Sequence, residues 1–437
     1  MIFSDIKVFS PKKQKLVPEA VKHEFEAPLE VTDYARVIGI ELQKGPELSI
    51  VNLVNAIIRS AHAARASDIH LDPLVNGLKV RLRVDGVLLD AETIPTEFHN
   101  EVISRIKILC GLRTDEHQAA QDGRFKIFLD QELGTIDVRV SIVPTYYGEN
   151  AVMRLLSGRS QEYTLDSLGF TPENQEKILR AIKKPHGMIL ATGPTGSGKT
   201  TTLYTLVKML NTPEVSIITI EDPIEYSISG INQTQVNART ELTFANGLRS
   251  MLRQDPNIIM VGEIRDIETA GLAVNTSLTG HLVLSTLHTN DAPTTLPRLL
   301  DMKVEPYLIA STVNIAIGQR LARKICEHCK EEWSMTDVEA QSLADIIPLD
   351  LLGKHRIFWH GRGCELCAGT GYMGRQGIHE VLEIDGPVRD AILSKATASE
   401  IRVIAMKGGM VPMIVDGFCK AAQGITTIDE IIRMRYE

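Results

Sequence analysis

The feature that most constrains the fold is a glycine-rich loop between an apolar stretch, 188–191, and a helix-forming run, 201–210. The loop reads Gly193-Pro194-Thr195-Gly196-Ser197-Gly198-Lys199-Thr200, which is the G-x-x-x-x-G-K-T spacing of a phosphate-binding loop. Glycines let several backbone N–H groups face one anion, and the following helix points its positive end at the same place. Strand, loop and helix together therefore predict a nucleotide site.

Each residue of the loop has a predicted part in that site. Lys199 supplies a positive charge for the β- and γ-phosphates, and Thr200 offers a hydroxyl ligand to Mg²⁺. The predicted nucleotide-binding residues are Gly193, Pro194, Thr195, Gly196, Ser197, Gly198, Lys199, Thr200 and Thr201.

Three apolar strands predicted after the loop each end at an ionisable side chain. The segment 216–220 is followed by Glu221, 257–261 by Gly262 and Glu263, and 281–287 by His288. Helices alternate with these strands, which favours a mainly parallel sheet with crossover helices. Because ligands of such sheets bind at the carboxyl ends of the strands, we expect the three side chains to meet beside Lys199.

The chemistry of these side chains fits nucleotide hydrolysis. Glu263 is the candidate that orients and deprotonates the attacking water. The Mg²⁺ shell draws on Glu221, Asp222 or Glu263, and the choice among them is open. His288 senses the γ-phosphate in this interpretation, and His281 is a second candidate at the same edge. The structural alternative is that either histidine only stabilises the end of its strand.

The first part of the chain predicts a separate α+β domain that ends near residue 156. A short turn at 144–149 joins two alternating strands, and centring it between residues 146 and 147 places Arg139 opposite Arg154. Like charges directly opposite each other are unfavourable, and a phosphate between them would remove the conflict. Arg124 lies on a neighbouring strand. The alternative is that these arginines are solvated surface residues.

Four of the six cysteines form two C-x-x-C pairs. Such pairs can close one tetrahedral Cys₄ zinc site, which is saturated and therefore structural. Unliganded thiols are the alternative, and His328 is not expected to be a ligand. Cys110 and Cys419 stand alone in helical patterns and are predicted to lie in the core. The predicted zinc ligands are Cys326, Cys329, Cys364 and Cys367.

Composition excludes several classes of protein. The 437 residues carry a net charge of −8, which argues against a nucleic-acid partner. No apolar run approaches the roughly 18 residues of a membrane span, and the first residues lack the apolar core of a signal peptide. These observations, with metal-type cysteine spacing, predict a cytoplasmic protein.

The motifs resemble those of the secretion-traffic ATPases, the motors of type II secretion and type IV pilus assembly. The phosphate loop with the threonines behind it is similar to theirs. The segment 220–226 resembles the family's Asp box, 259–266 its Walker B motif with glycine before the glutamate, and 279–291 its His box. The tetracysteine motif is similar to that of assembly and secretion motors. The hairpin arginines Arg139 and Arg154 resemble the family's ATP-contacting arginines.

The resemblance implies an α/β fold: a RecA-like P-loop ATPase domain, a smaller PAS-like α+β domain before it, a Cys₄ zinc insert and a helical C-terminal lobe. It also implies a homo-hexamer that holds ATP between two domains, peripheral association with the inner membrane, and partners among platform and recruiting proteins. The predicted segments are a truncated or flexible N-terminal extension (1–45), the α+β domain (46–156), a linker (157–165), the ATPase domain (166–437), the tetracysteine subdomain (324–370) and the C-terminal lobe (376–437).

Three other functions are compatible with a nucleotide site of this kind. A pilus-retraction or competence motor of the same family shares the motifs, although retraction motors generally lack the cysteine pairs. A nucleotide-dependent scaffold would bind ATP with little turnover. A ring translocase for nucleic acid is disfavoured by the acidic balance.

Overall fold

The computed structural model describes residues 31–130, 134–157, 163–343, 347 and 349–436. Within these ranges, none of the helices combines the length and apolar composition that a membrane crossing requires. The predicted linker at 157–165 falls largely on residues 158–162, which lie outside the described residues, as does the part of the predicted N-terminal extension before residue 31.

The N-terminal part is built on a six-stranded antiparallel sheet. Its strands are β1 (Asp68–Leu74), β2 (Gly77–Val84), β3 (Val87–Ile94), β4 (Gln121–Asp130), β5 (Gly134–Thr145) and β6 (Gly148–Ser157). They lie in the order β3-β2-β1-β6-β5-β4. Three helices pack against the sheet: α1 (Val31–Leu42), α2 (Ile50–Ala63) and α3 (His99–Cys110).

A two-residue turn joins β2 to β3 in this sheet. Val84 pairs with Val87 across the Asp85–Gly86 turn, whose residues both have positive φ, as hairpin turns of this length require. Helix α1 differs from the prediction, because the segment 31–42 was expected to be part of a loose extension. Ile38 of this helix is fully buried in the core of the sheet domain, so burial of an apolar side chain orders it.

The second sheet and the insert contain the remaining strands: β7 (Gly187–Thr192), β8 (Ile217–Glu221), β9 (Asn232–Gln235), β10 (Ile258–Val261), β11 (Leu282–Leu287), β12 (Val313–Ile325), β13 (Lys330–Ser334), β14 (Ile357–Gly361) and β15 (Tyr372–Glu383). Seven of them form one sheet in the order β15-β12-β7-β11-β10-β8-β9. All neighbours are parallel except β12 and β15. Strands β13 and β14 pair separately.

Helices cover both faces of the seven-stranded sheet. Along β7, Met188 and Leu190 belong to one core, while Ile189 and Ala191 belong to the other. Burial on both faces explains why the strand is continuously apolar. The helices are α4 (Pro172–Ile182), α5 (Lys199–Leu210), α6 (Phe244–Met251), α7 (Ile267–Leu278), α8 (Ala292–Asp301), α9 (Pro306–Thr312), α10 (Asp337–Ser342), α11 (Leu349–Lys354), α12 (Gly386–Leu393), α13 (Ala398–Lys407), α14 (Met413–Ala422) and α15 (Ile428–Tyr436).

The C-terminal helices are present as the sequence predicted, but they join two different cores. Val388 of α12 and Ile401 of α13 pack into the core of the large sheet. Phe418 of α14 and Ile431 of α15 pack with Phe358 of the insert. The last two helices therefore attach the cysteine-bearing insert to the rest of the domain.

Candidate nucleotide and metal sites

The glycine-rich loop connects β7 to α5, as predicted. Lys199 is the first residue of α5, and its side chain is buried, with Nζ donating to Gly193 O at 2.7 Å and to Pro194 O at 2.9 Å. Gly193 has φ +146°, and a Cβ there would lie 2.4 Å from Gln319 O. Only glycine fits between the loop and the neighbouring strand at this position.

The environment of Lys199 lowers its pKa to about 8. Burial is the largest cause, since it disfavours the charged ammonium. The nearby charge of Glu263 acts in the opposite direction, and the charge of Arg320 adds to the lowering. The carboxylate predicted as the base is thus within electrostatic range of the loop lysine.

This pKa predicts that nucleotide binding is linked to proton uptake. Near pH 8, about half of the free protein carries a neutral Lys199, and bound phosphates favour the charged form. We therefore expect ATP binding at pH 8 to take up about half a proton. Affinity should fall about tenfold between pH 7 and pH 9, as the charged fraction falls by that factor.

Calorimetry at pH 8, with Mg²⁺ in excess and in two buffers of different ionisation enthalpy, measures this uptake. At pH 6.5, where Lys199 is already charged, the same comparison is the control and should show no uptake by this group. Equal binding heats in both buffers at pH 8, together with an affinity independent of pH, would contradict the prediction.

Glu263 lies just after β10, and its carboxylate is held by two neighbours. His288 Nε2 lies 3.0 Å from one oxygen, and Arg265 Nη2 lies 2.5 Å from the other. The glutamate side chain is buried, whereas His288 is about half exposed. The structure therefore brings Lys199, Glu263 and His288 to one edge of the sheet, and the histidine contacts the predicted base directly.

Glu221 ends β8 at the same edge, but its carboxylate is engaged within the protein. Tyr204 of α5 donates to one oxygen, and the other oxygen accepts from Thr219 Oγ1 at 2.6 Å and Gln233 Nε2 at 3.2 Å. Burial, followed by the charge of Glu221, raises the pKa of Tyr204 well above its usual range. Both oxygens of Glu221 already accept hydrogen bonds from three side chains, so this carboxylate is the least available of the three candidates as a ligand for Mg²⁺.

The expectation that His281 serves the same edge is wrong. This residue precedes β11, and its carbonyl accepts from Gly187 N at the start of β7. The phosphate-binding loop follows Thr192, which pairs with Leu287 at the other end of the strand. In parallel strands the first residues all lie at the opposite edge of the sheet. His281 Nδ1 instead lies 3.1 Å from Thr276 O at the end of α7.

The hairpin arginines occupy the predicted register, with Arg139 paired to Arg154 and also to Arg124. Carboxylates accompany each of them. Arg154 Nε lies 2.9 Å from Asp68 Oδ1, and Arg124 Nε lies 2.8 Å from Asp137 Oδ1. The like-charge conflict across the ladder is therefore relieved by protein groups in this arrangement.

Arg139 reaches from the N-terminal sheet to the loop that follows β8. Its guanidinium donates to Ile224 O and lies 3.3 Å from Glu225 Oε2. Its side chain is 17% exposed, so the contact is partly shielded. This places one predicted arginine directly beside the nucleotide-binding domain, in the segment next to Glu221.

The four paired cysteines form one cluster at the base of the insert. Their Sγ atoms all lie within 4.8 Å of one another, and the pairs Cys326–Cys364 and Cys329–Cys367 are 3.8 Å apart. A Zn–S bond of about 2.3 Å gives a tetrahedral edge of about 3.8 Å. The donor set and its spacing therefore fit a tetrahedral Zn²⁺ ion.

Backbone donors also suit a thiolate in this cluster. Cys367 Sγ accepts from Cys364 N and Gly371 N, each at 3.2 Å. Burial would raise the pKa of Cys367, but these donors lower it to about 7. The cysteines predicted to be non-ligands, Cys110 and Cys419, lie on α3 and α14, where burial raises the pKa of each to about 11.

Sequence reasoning missed one residue that contacts the loop. Gln319 of β12 is buried and hydrogen-bonds both the loop and α5. The sequence does carry a signal for this residue, because Gln319 and Arg320 are the polar pair within the run 315–322 of the strand, which is otherwise apolar or glycine. Buried polar side chains in such a strand require hydrogen-bond partners.

Comparison with known proteins gives matches over nearly the whole chain. A family model described as "Type II/IV secretion system protein" matches residues 43–433. The type IV pilus assembly ATPase PilB of Thermus thermophilus is 47% identical over 393 residues, or 90% of this chain and 43% of that protein. The type II secretion system protein E of Xanthomonas campestris pv. campestris is 47% identical over 388 residues, or 89% of this chain and 68% of that protein. The chain thus spans less than half the length of the Thermus protein.

A solved structure shares the fold. The crystal structure of the pilus retraction motor PilT with bound ADP superposes with a TM-score of 0.59 at 25% identity, covering 87% of this chain and 96% of that chain. The share of this chain that is covered is similar to that in the matches to the assembly and secretion proteins, but the sequence identity is lower.

Proposed function

Because the chain belongs to the Type II/IV secretion system protein family, we propose that it hydrolyses ATP to power assembly of a type IV pilus or of a type II secretion pseudopilus. The family predicted from the sequence is confirmed by the family model, and the relative described as a type IV pilus assembly ATPase supports the proposed ATP hydrolysis. A role in retraction is less well supported, since PilT matches at lower identity than PilB does.

The observation that carries the proposal is the meeting of Lys199, Glu263 and His288 at one sheet edge. Lys199 and the loop N–H groups bind the phosphates. Glu263 accepts the proton of the attacking water, and its two neighbours fix the direction of its carboxylate. His288 is a positioning residue, because it acts on Glu263. The arginine pair Arg139 and Arg154 would add positive charge from the N-terminal sheet.

Mg²⁺ and Zn²⁺ are the proposed metal ions. The hydroxyl of Thr200 would hold Mg²⁺, together with Asp222 or Glu263, and the ion would neutralise phosphate charge. The four cysteines would hold Zn²⁺ in a structural role. Glu221 is proposed to support the site by fixing α5 through Tyr204.

The remaining parts of the proposal follow from family membership. We assign the seven-stranded sheet to a RecA-like ATPase domain and the six-stranded sheet to a PAS-like domain. The active form would be a homo-hexamer in the cytoplasm, held at the inner membrane by platform and recruiting proteins. No nucleic-acid partner is proposed, in keeping with the net charge of −8.

The first test is ATP hydrolysis by the purified chain and by Lys199→Ala. We expect Lys199→Ala to lose at least about 100-fold in kcat/KM, because one buried charge on the phosphates is removed. Lys407→Ala, an exposed lysine on α13, is the matched control and should hydrolyse at the wild-type rate. Hydrolysis by Lys199→Ala at the wild-type rate would contradict the proposal. ATP binding without turnover, even with membrane partners present, would favour the scaffold alternative.

A further inference from the structure

We infer that Gln319 is a positioning residue for the phosphate-binding loop: its amide fixes the peptide between Ser197 and Gly198 so that the Gly198 N–H faces the bound phosphates. The inference rests on the proposed ATP site. It adds to that site a residue of β12, a strand that lies outside the predicted nucleotide motifs.

The amide of Gln319 is held at both ends. Its Nε2 donates to Ser197 O at 2.7 Å, and its Oε1 accepts from Thr202 Oγ1 at 2.8 Å. The residue is 2% exposed, so water does not compete for these bonds. Because Ser197 O can only accept, the Nε2 end must face the loop, and the hydroxyl of Thr202 fixes the other end.

The consequence for the loop follows from peptide geometry. The Ser197–Gly198 bond is trans, so its C=O and N–H point in opposite directions. With the carbonyl held by the Gln319 amide, the Gly198 N–H is directed away from that amide. Gly196 and Gly198 have φ of +81° and +87°. Glycine leaves such conformations easily, so a hydrogen bond is needed to hold this peptide plane.

Close packing supports the same assignment. A Cβ at Gly198 would lie 3.1 Å from Gln319 Nε2, and one at Gly193 would lie 2.4 Å from Gln319 O. The first of these contacts is with the side-chain amide and the second is with the main-chain oxygen, so it is the Gly198 end of the loop that rests on the side chain. A residue of another shape or polarity would leave the Ser197 carbonyl buried without its donor, which costs free energy.

We expect Gln319→Met to raise the Kd for ATP and for ADP about tenfold, the effect of one lost hydrogen bond. Methionine keeps the length and volume of the side chain and removes both polar contacts. Loop N–H groups bind phosphate in the ground state and in the transition state alike, so KM should rise with Kd while kcat stays within about twofold of wild type. A purely structural role would lower the active fraction and therefore kcat.

Three further variants complete the test. Thr202→Val removes only the hydroxyl that orients the amide, and we expect a smaller rise in Kd, about threefold. Adding Thr202→Val to Gln319→Met should have no further effect, because the shared contact is already lost. Gln319→Glu keeps an acceptor for Thr202, loses the donor to Ser197 O and adds a negative charge beside the loop, so it should raise Kd by more than Gln319→Met does. It replaces Gln319→Met if that variant does not fold, as judged by circular dichroism.

Fluorescence titration with a labelled ADP and competition by ATP measures Kd without requiring turnover. A folded Gln319→Met or Gln319→Glu protein with a Kd within twofold of wild type would overturn the inference, as would a fall in kcat with KM unchanged. A wild-type chain that binds nucleotide but does not hydrolyse it would contradict the proposed motor function alone, because the comparison of Kd values would still decide the role of Gln319.

Discussion

Glu263→Gln is expected to lower kcat for ATP hydrolysis by about 10²–10⁴-fold, the usual contribution of a general base, while ATP still binds. Glutamine keeps the size of the side chain and its carbonyl oxygen, but it cannot take a proton from water. Its amide also faces His288 and Arg265, which both lie within hydrogen-bond distance of the carboxylate. Loss of turnover with retained binding therefore separates the base from the phosphate-binding groups.

The matched control for this variant is Glu268→Gln, which changes an exposed glutamate of α7. It should leave kcat unchanged. Steady-state hydrolysis and nucleotide titration on the same preparations give kcat and Kd together. If Glu263→Gln retains more than about a tenth of wild-type kcat, Glu263 is not the base. If it loses nucleotide binding to the same extent as turnover, its role lies in binding instead.

Removing the metal from the cysteine cluster has the second large expected effect. We expect one Zn²⁺ per wild-type chain, and none in Cys367→Ser or after exhaustive chelation. Metal binding contributes about 10–16 kcal/mol to the folding of zinc-dependent peptides. Around the cysteines themselves Met373 packs as an apolar neighbour, whereas Phe358 of β14 is held by α14 and α15. Loss of the ion should therefore loosen the ends of β13 and β14 next to the cysteines, at Lys330 and Gly361.

Elemental analysis and limited proteolysis check this outcome, with cleavage expected next to residues 330 and 361 only in the metal-free protein. Cys110→Ser is the control, because this cysteine lies on α3, outside the cluster. A wild-type chain without bound zinc, or a Cys367→Ser insert that resists proteolysis as the wild type does, would contradict a structural zinc site.

Much of the candidate site could be read from strand ends. A parallel strand that is followed by Glu263 or His288 places that residue at the edge of the sheet where the glycine loop lies. The order of apolar and charged residues along the chain was therefore enough to predict that these two side chains lie near the loop. The same rule explains the error with His281, which comes before its strand rather than after it. The hairpin register was equally predictable, because a two-residue turn leaves little freedom in pairing Arg139 with Arg154.

The contacts made by these side chains depended on tertiary packing. Glu221 was placed correctly at the end of β8, but its hydrogen bond to Tyr204 depends on how α5 packs against the sheet. The polar pair at 319 and 320 indicates that Gln319 needs a hydrogen-bond partner, but that partner lies in a loop more than 100 positions earlier in the chain, which the local sequence does not identify. Helix α1 was missed because its ordering comes from the burial of Ile38, which composition alone did not indicate.

Arg139 contacts both sheets, but the free energy that this contact contributes is close to the thermal energy RT. Partly exposed ion pairs contribute about 0–1 kcal/mol, and a single guanidinium has one planar fork to offer. While the guanidinium is bonded to Glu225 and to Ile224 O, it is not available to bind a phosphate. Because this ion pair contributes at most about 1 kcal/mol, a phosphate that enters beside Arg139 could replace Glu225 as the partner of its guanidinium at little cost.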